Sequence, residues 1–423
     1  MDVRIALTAA VVTLAAVGGG IAVSGALDGR IALGGDNALE ERWASDTETS
    51  IGANHHAVAA GVVDGEGLVF APVSGATGSG ECRLVALDGD TGDTRWRDGV
   101  PPANCTLHSV ADPAIADIDG DGAAEVLAAS TTEELVGYDA RTGAVELRTT
   151  LSAYGYSRPA VADLDGDGTV EVLVVDAVGT VHAFHGDGER VWTEPLDGSA
   201  YAPPGVGDFT GDGTAEFAVG LGTSEVVLFD AGGEVVWDRD AFGESVAWTA
   251  TGDVTGDDAA EFVVATTGGT VAALDGATGD ALWTRQIDEF AAVGAVGDGD
   301  GDGDPEVYVT ARDQRLRALD GATGRTEWTV DLAEGSAQMT PPPAIGDLDG
   351  DGSLEVVAVT NGGVVSVIDP AAGRVVASYT RDEAVFTHPT LADVDGDGDD
   401  EVFVPYANGR VVSLDSADNG ADS

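Results

Sequence analysis

The sequence predicts an all-β fold, an eight-bladed β-propeller of four-stranded blades, and three observations carry that prediction. An acidic nonapeptide recurs with a period of about 45 residues, the range of propellers and solenoids. Four short apolar runs fall inside each period. A strand-like segment near the N-terminus, Glu41-Arg42-Trp43-Ala44, supplies the one strand that the last unit lacks.

The nonapeptide reads Asp-x-Asp-Gly-Asp-Gly-x-x-Glu and starts at Asp117, Asp163, Asp298, Asp347 and Asp393, with looser copies at Asp208 and Asp253. Successive starts are 46, 45, 45, 45, 49 and 46 residues apart. Within one period, Pro159–Ala162 runs into the acidic loop, and Glu171–Val175, Thr180–Phe184 and Arg190–Thr193 follow it. These runs are short, rich in β-branched residues and bounded by Gly, Asp or Pro, the marks of strands rather than helices. The turn before the fourth run is Leu-Asp-Gly-Ala-Thr-Gly at both 274–279 and 319–324, and its glycines suit a tight hairpin. Four antiparallel strands per repeat make a propeller blade.

First strands fall near 57, 114, 159, 204, 249, 294, 343 and 389, which makes eight. Fourth strands are marked by Trp96, Leu147, Trp192, Trp237, Trp283, Trp328 and Val376, which makes seven. Pairing Glu41–Ala44 with the last unit closes the ring and removes a free sheet edge. A seven-bladed ring is the alternative. The first unit keeps only a remnant of the acidic loop, Asp64-Gly65-Glu66-Gly67.

Each loop offers carboxylates or hydroxyls at positions 1, 3, 5 and 9 and a backbone carbonyl at position 7. The seven sets are Asp117, Asp119, Asp121, Ala123 and Glu125; Asp163, Asp165, Asp167, Thr169 and Glu171; Asp208, Thr210, Asp212, Thr214 and Glu216; Asp253, Thr255, Asp257, Ala259 and Glu261; Asp298, Asp300, Asp302, Asp304 and Glu306; Asp347, Asp349, Asp351, Ser353 and Glu355; and Asp393, Asp395, Asp397, Asp399 and Glu401. Oxygen-only, acid-rich sets of this kind suit a hard cation, so up to seven structural Ca²⁺ sites are expected. The loops at Asp208 and Asp253 have Thr at position 3, and the second also has Asp258 where the others have Gly.

The chain carries 75 acidic residues against 19 basic ones, all of them Arg, for a formal charge of -56. Such a charge strains a compact fold at low ionic strength and is relieved in molar salt, where the Debye length is about 3 Å. The composition resembles that of haloarchaeal proteins. It disfavours direct binding to nucleic acid or anionic membranes.

From Ile5 to Leu27 there is no charged residue. We read residues 1–30 as a secretory signal peptide or a single-pass N-terminal anchor, an apolar helix in either case, with 31–38 as linker. The propeller spans 39–415 and 416–423 is an acidic tail. Export to the cell surface follows, by the general secretory route because no twin-Arg pair precedes the apolar run. The two cysteines, Cys82 and Cys105, suit an oxidising compartment, as a disulfide or as two buried thiols.

The acidic loops resemble the FG-GAP or VCBS-type repeats of integrin α-subunit propellers and microbial surface proteins. The Ala-Leu-Asp-Gly-Ala-Thr-Gly turns followed by Trp resemble the blades of PQQ-dehydrogenase-like propellers. Literal Phe-Gly and Gly-Ala-Pro segments are absent, position 9 is Glu, and the adjacent cysteine pair of a PQQ site is missing. The resemblance implies a calcium-binding propeller whose relatives include adhesion and assembly proteins.

The segments leading into the first strands vary where the loops do not, which marks the opposite rim as a ligand surface. Five residues before each loop stand Asp112, Arg158, Pro203, Trp248, Val293, Pro342 and His388, with His56 equivalent in the first unit. Together with Tyr156 and Tyr201, the residues His56, Arg158, Trp248 and His388 form the candidate ligand rim. His56, His108 and His388 come from separate units without metal-ligand spacing, so no transition-metal site is assigned. No catalytic set stands out from the repeat. The expected function is a monomeric cell-surface binding or adhesion module taking an envelope protein or surface glycan. An assembly scaffold and a polysaccharide-active enzyme are the alternatives.

Overall fold

The computed structural model describes residues 39–240, 242–334 and 337–416. Among them it holds eight four-stranded antiparallel sheets, one per predicted blade, so the seven-bladed alternative falls away. The N-terminal apolar segment, the linker to residue 38 and all but the first residue of the acidic tail lie outside the described residues. Among the described residues no helix is long and apolar enough to cross a membrane.

In seven blades the strands follow chain order, as in blade 3: Ala160–Ala162, Glu171–Val175, Thr180–His185 and Arg190–Pro195. Each first strand touches the first strands of both neighbouring blades, and Thr390–Ala392 meets Ala59–Val63 to complete the circle. The first strands therefore line the channel. Second strands such as Glu171–Val175 are buried throughout, while the fourth strands are largely exposed. The core sits between blades: Leu173, Val175 and Val181 of blade 3 pack with Phe217, Val219 and Phe229 of blade 4.

Closure occurs as the sequence predicts. The strand Leu39–Ala44 pairs antiparallel with Val411–Ser416, with Leu39 opposite Ser416 and Ala44 opposite Val412. Blade 8 is thus made from both ends of the chain. In blade 1 the remnant loop is a two-residue hairpin, with Asp64 at φ 52° and Gly65 at φ 79°, joining Ala59–Val63 to Glu66–Val73. Both positive values match the right-handed twist of a hairpin. This blade has no room for a metal loop.

The fourth-strand tryptophans latch each blade to the next. The indole Nε1 of Trp237 donates to Gly276 O at 2.7 Å, and that of Trp283 to Gly321 O at 2.6 Å. Trp96 donates to Ala140 O at 2.8 Å and Trp192 to Ala231 O at 3.1 Å. Trp43 makes the same bond across the closure, to Gly89 O of blade 1 at 2.7 Å. The glycine that ends each turn lies flat on the ring: a Cβ at Gly279 would stand 2.7 Å from Trp237 Cδ2, and its φ is +70°. In blade 2, Leu147 packs on Gly188 in place of the indole.

Blade 7 carries Val376 where a tryptophan is expected, and the fold shows why. The third and fourth strands of the next blade, Val411–Ser416 and Leu39–Ala44, are far apart in sequence, so no turn joins them directly. With nothing to dock on, the indole is replaced by polar contacts: Tyr379 and Arg381 both reach Glu41, the latter at 3.2 Å.

Cys82 and Cys105 form a disulfide with a Cα–Cα distance of 5.4 Å, which decides between the two readings of the pair. It pins the segment between blades 1 and 2 to blade 1, where Ser74 Oγ also donates to Leu107 O at 2.7 Å.

Gly279→Ala should destabilise the protein by about 2–3 kcal/mol, from the positive φ and the displaced indole. Gly61→Ala, where a Cβ meets nothing within 4 Å, should change stability by less than about 0.5 kcal/mol. Urea unfolding of both variants at constant molar salt checks the difference.

Candidate functional site

A blade's first strand has the acidic loop at one end and its lead-in segment at the other, so the two kinds of candidate site occupy opposite rims.

The seven acidic loops share one construction. The first Asp accepts a hydrogen bond from the backbone N–H of position 6 at 2.9–3.1 Å in every loop. The ninth residue, Glu, turns back and accepts from the N–H of position 2 at 2.9–3.0 Å. The fifth-position Asp caps the N–H of position 7, as Asp121 does for Ala123 at 2.8 Å. Positions 1, 3 and 9 converge: one oxygen from each of Asp117, Asp119 and Glu125 lies within 4.8 Å of the others, and likewise for Asp163, Asp165 and Glu171. Asp298, Asp300, Asp302 and Glu306 group in the same way, and Asp208 and Asp212 join Glu216. Asp121 and Asp167 are not in their groups, although they make the same cap as Asp302 and Asp212, which are.

Burial and the crowding of like charge act on the ninth position. Burial, aided by neighbouring Asp residues, pushes Glu125, Glu261, Glu306 and Glu355 up to about 7, and Glu216 and Glu401 upward as well. Two oxygen atoms in the loops are buried without a hydrogen-bond partner, Asp347 Oδ1 and Thr255 Oγ1. Asp258 takes the conformation that glycine has elsewhere, at φ +75°, so the last irregular loop keeps the common shape.

The eighth blade differs, and its sequence gives no warning. Arg42 of the closing strand inserts its guanidinium into the loop at 393–401, pairing with Glu401 and, at 2.9 Å, with Asp395. A charge from the N-terminal strand thus occupies carboxylates that the motif offers to a cation. In blade 3 His185 stands 3.5 Å from Glu171.

On the other rim the lead-in segments enclose a cavity of about 390 Å³ to which all eight blades contribute. His56, Tyr156, Arg158, Tyr201 and Trp248 line it, with Asp112, Phe290, Met339 and Phe386. His388 stands just behind, its ring edge-on to Trp248 at 6.4 Å between centroids. All six predicted rim residues therefore meet at one mouth. Tyr201, Phe290 and Met339 expose about 40–45% of their surface there.

One side of the mouth is dense with imidazoles. His55 Nε2 and His108 Nδ1 are 2.9 Å apart, and the rings of His55 and His56 are 4.7 Å apart between centroids. Asp112 holds His56 Nδ1 at 2.8 Å and faces His388 Nε2 at 3.9 Å. Burial would raise the Asp112 carboxyl, but the hydrogen bonds from His56 Nδ1 and the Ala57 N–H bring it below the usual range. Burial and the neighbouring His56 pull His55 down to about 4 and lower His108 too, so both rings are neutral at pH 7. Burial sends the Tyr156 phenol up to about 12. Sequence spacing hides this cluster, because the fold brings the start of blade 1 against the connection into blade 2. The adjacent pair His55-His56 beside the lead-in was its one visible sign.

Residues 222–422 match the family model described as outer membrane protein assembly factor BamB, one of the PQQ-like repeat models. Residues 163–219 match the FG-GAP-like repeat. No curated protein sequence matches at a significant level. Among solved structures, BamB from Moraxella catarrhalis is similar at 15% identity with a TM-score of 0.60, covering 89% of this chain and 100% of that one. Quinohemoprotein alcohol dehydrogenase from Comamonas testosteroni is similar at 14% identity and TM-score 0.62, over 89% of this chain and 76% of that one. BBS1N, in its complex with ARL6DN, is similar at 12% identity and TM-score 0.52, over 73% and 91%. At such identities the structural likeness shows the fold alone. The chain is a β-propeller with PQQ-like blades and FG-GAP-like repeats.

Proposed function

We propose that this chain is an exported, calcium-binding β-propeller that acts as a cell-surface binding module, taking its ligand at the channel mouth. The observation that carries the reading is the mouth itself: one cavity of about 390 Å³, built by all eight blades from unlike aromatic and charged side chains. Pockets of this size with a few polar groups among apolar ones are the usual form of a ligand site, and Trp, Tyr and Arg are its usual anchors. The acidic loops on the other rim then serve the fold, up to seven of them holding a Ca²⁺ ion as a hairpin lock, with Arg42 competing for the loop of blade 8. Their converging carboxylates and the unpartnered Asp347 Oδ1 support that assignment. The disulfide supports an oxidising compartment, and the charge supports a high-salt one.

The ligand class follows from the rim. Leu107, in the lead-in to blade 2, and Val178, in the turn after Glu171–Val175, are 39% and 57% exposed and add apolar side chains to the same end of the blades as Tyr201, Phe290 and Met339. This favours an envelope protein as partner over a surface glycan, and with it the scaffold reading. BamB, an assembly factor by name, and BBS1N in complex with ARL6DN are propellers of similar fold.

A photo-crosslinking residue placed at Phe290 should capture one envelope species in molar salt with Ca²⁺, and the same residue at Val235 on an outer strand should not. Trp248→Ala with Tyr201→Ala should weaken capture at least about 10-fold. Mass spectrometry separates protein from glycan, and capture independent of the mouth would overturn the reading.

Chelating Ca²⁺ at constant molar salt should lower the melting temperature by about 10 °C or more, since each ion held at 100 times its dissociation constant adds about 2.7 kcal/mol. An unchanged melting temperature would refute the calcium assignment. In chelator the pH dependence has a definite sign. Burial pushes Glu125, Glu261, Glu306 and Glu355 from their ordinary 4.5 up to about 7 in the folded state, so the folded state binds more protons in that window. Stability of the chelated protein should therefore fall as pH rises from about 5 to 8. Calcium should flatten that slope.

A further inference from the structure

We propose that His55, His56 and His108 form a binding site for one divalent transition ion of the zinc class, with Asp112 as its second-sphere anchor. One nitrogen from each ring lies within 4.8 Å of the other two. Nitrogen ligands suit zinc and its neighbours, as the oxygen-only loops of the other rim suit calcium.

The hydrogen bonds fix which nitrogens face the ion. His56 Nδ1 sits on Asp112 Oδ1 at 2.8 Å, where it donates, so the lone pair of that ring is on Nε2. His56 is 2% exposed, and its Nε2 has no hydrogen-bond partner. A buried imidazole nitrogen left bare costs free energy unless something accepts its lone pair. The Asp–His pair is also the arrangement that orients metal-ligating histidines. His55 repeats the pattern: its Nδ1 donates to Ala53 O at 2.9 Å, which leaves Nε2 as acceptor. That nitrogen meets His108 Nδ1 at 2.9 Å. Without an ion, His108 donates its Nδ1 proton to His55. With one, His108 carries its proton on Nε2 instead and all three lone pairs point inward, with no net change in charge.

Three nitrogens around a tetrahedral zinc ion at about 2.0–2.1 Å stand roughly 3.3 Å apart. The 2.9 Å between His55 Nε2 and His108 Nδ1 and the 4.8 Å limit on the other pairs bracket that spacing. Its supports are rigid. The disulfide Cys82–Cys105 and the Ser74–Leu107 hydrogen bond fix the segment that carries His108, and Ala57 N–H donates to the same Asp112 oxygen at 3.0 Å. Tyr156 packs against all three rings, at 5.2–6.3 Å between centroids. His55 and His56 both line the mouth cavity, so the remaining coordination position opens to it. The ion therefore sits where a carboxylate, an imidazole or water from the cavity side completes its shell. The site stands or falls independently of what the mouth captures.

The test uses the whole chain without a histidine tag, in molar salt and millimolar Ca²⁺ so that the carboxylate loops are filled first, and Zn²⁺ alone as the probe. One equivalent of zinc should survive dialysis by elemental mass spectrometry. His108→Ala should weaken binding by about 100-fold or more. Asp112→Asn keeps the acceptor and removes the charge, and it should weaken binding about 10–100-fold at the same stoichiometry. Zinc retention unaffected by both substitutions would overturn the proposal. Cu²⁺ in the unaltered protein gives a readout that does not depend on the variants folding. Its electron paramagnetic resonance spectrum should show coupling to nitrogen, and a spectrum of oxygen ligation only would overturn the site.

Discussion

The ring is held by one repeated contact, the indole of a fourth strand lying on the glycine that ends a turn of the next blade. It combines a buried aromatic face, worth about 1.5–3 kcal/mol, with a hydrogen bond from Nε1, worth about 0.5–1.5 kcal/mol. A propeller is a closed series of such interfaces, and the weakest decides whether the disc opens. At the interface between blades 8 and 1 the latch is complete. There Trp43, brought in by a strand from the other end of the sequence, docks on Gly89 as the other indoles dock on their turns. Where no turn exists to receive an indole, between blades 7 and 8, none is present.

The acidic loops are joined to this latch. The glycine after the turn's Asp approaches the backbone of the preceding blade's loop closely. A Cβ at Gly321 would stand 2.7 Å from Val254 O, and Gly276 and Gly186 meet Phe209 and Ile118 in the same way. Whatever holds a loop in shape therefore positions the turn beside it, and the turn positions the indole. The charges that crowd each loop work against that shape unless something positive sits among them. In blade 8 part of that charge is Arg42, on the same strand as Trp43. The closing strand carries both an indole for the latch and a cation for the loop.

Most of this architecture was legible in the sequence because it repeats. The period, the strand runs and the turn glycines favoured eight blades over seven, and the unpaired strand at Trp43 foretold the closure. Val376 was legible as a departure, though its cause appears only when Leu39–Ala44 is seen paired with Val411–Ser416 and no turn joins the two. What repeats poorly was read poorly. The remnant loop of blade 1 is a two-residue hairpin, Asp258 holds a glycine conformation, and Arg42 enters a loop more than 350 positions away in the chain. Arg158, Trp248 and His388 share an offset of five residues from their loops, and Tyr156 and Tyr201 one of seven, which is why the sequence groups them on one rim. The imidazole cluster was not assigned to a metal, because His55 and His56 meet His108 across a blade junction that spacing does not encode.

The central claim is that the loops and the latch are one mechanical unit. Hydrogen exchange at the indole N–H groups tests it, followed by NMR on protein labelled at tryptophan, in molar salt, with and without divalent cations. The account predicts that chelation speeds exchange at the latched indoles of Trp43, Trp96, Trp192, Trp237 and Trp283, while Trp248, on the opposite rim, keeps its rate. Equal exchange at the latched indoles in both conditions would contradict it.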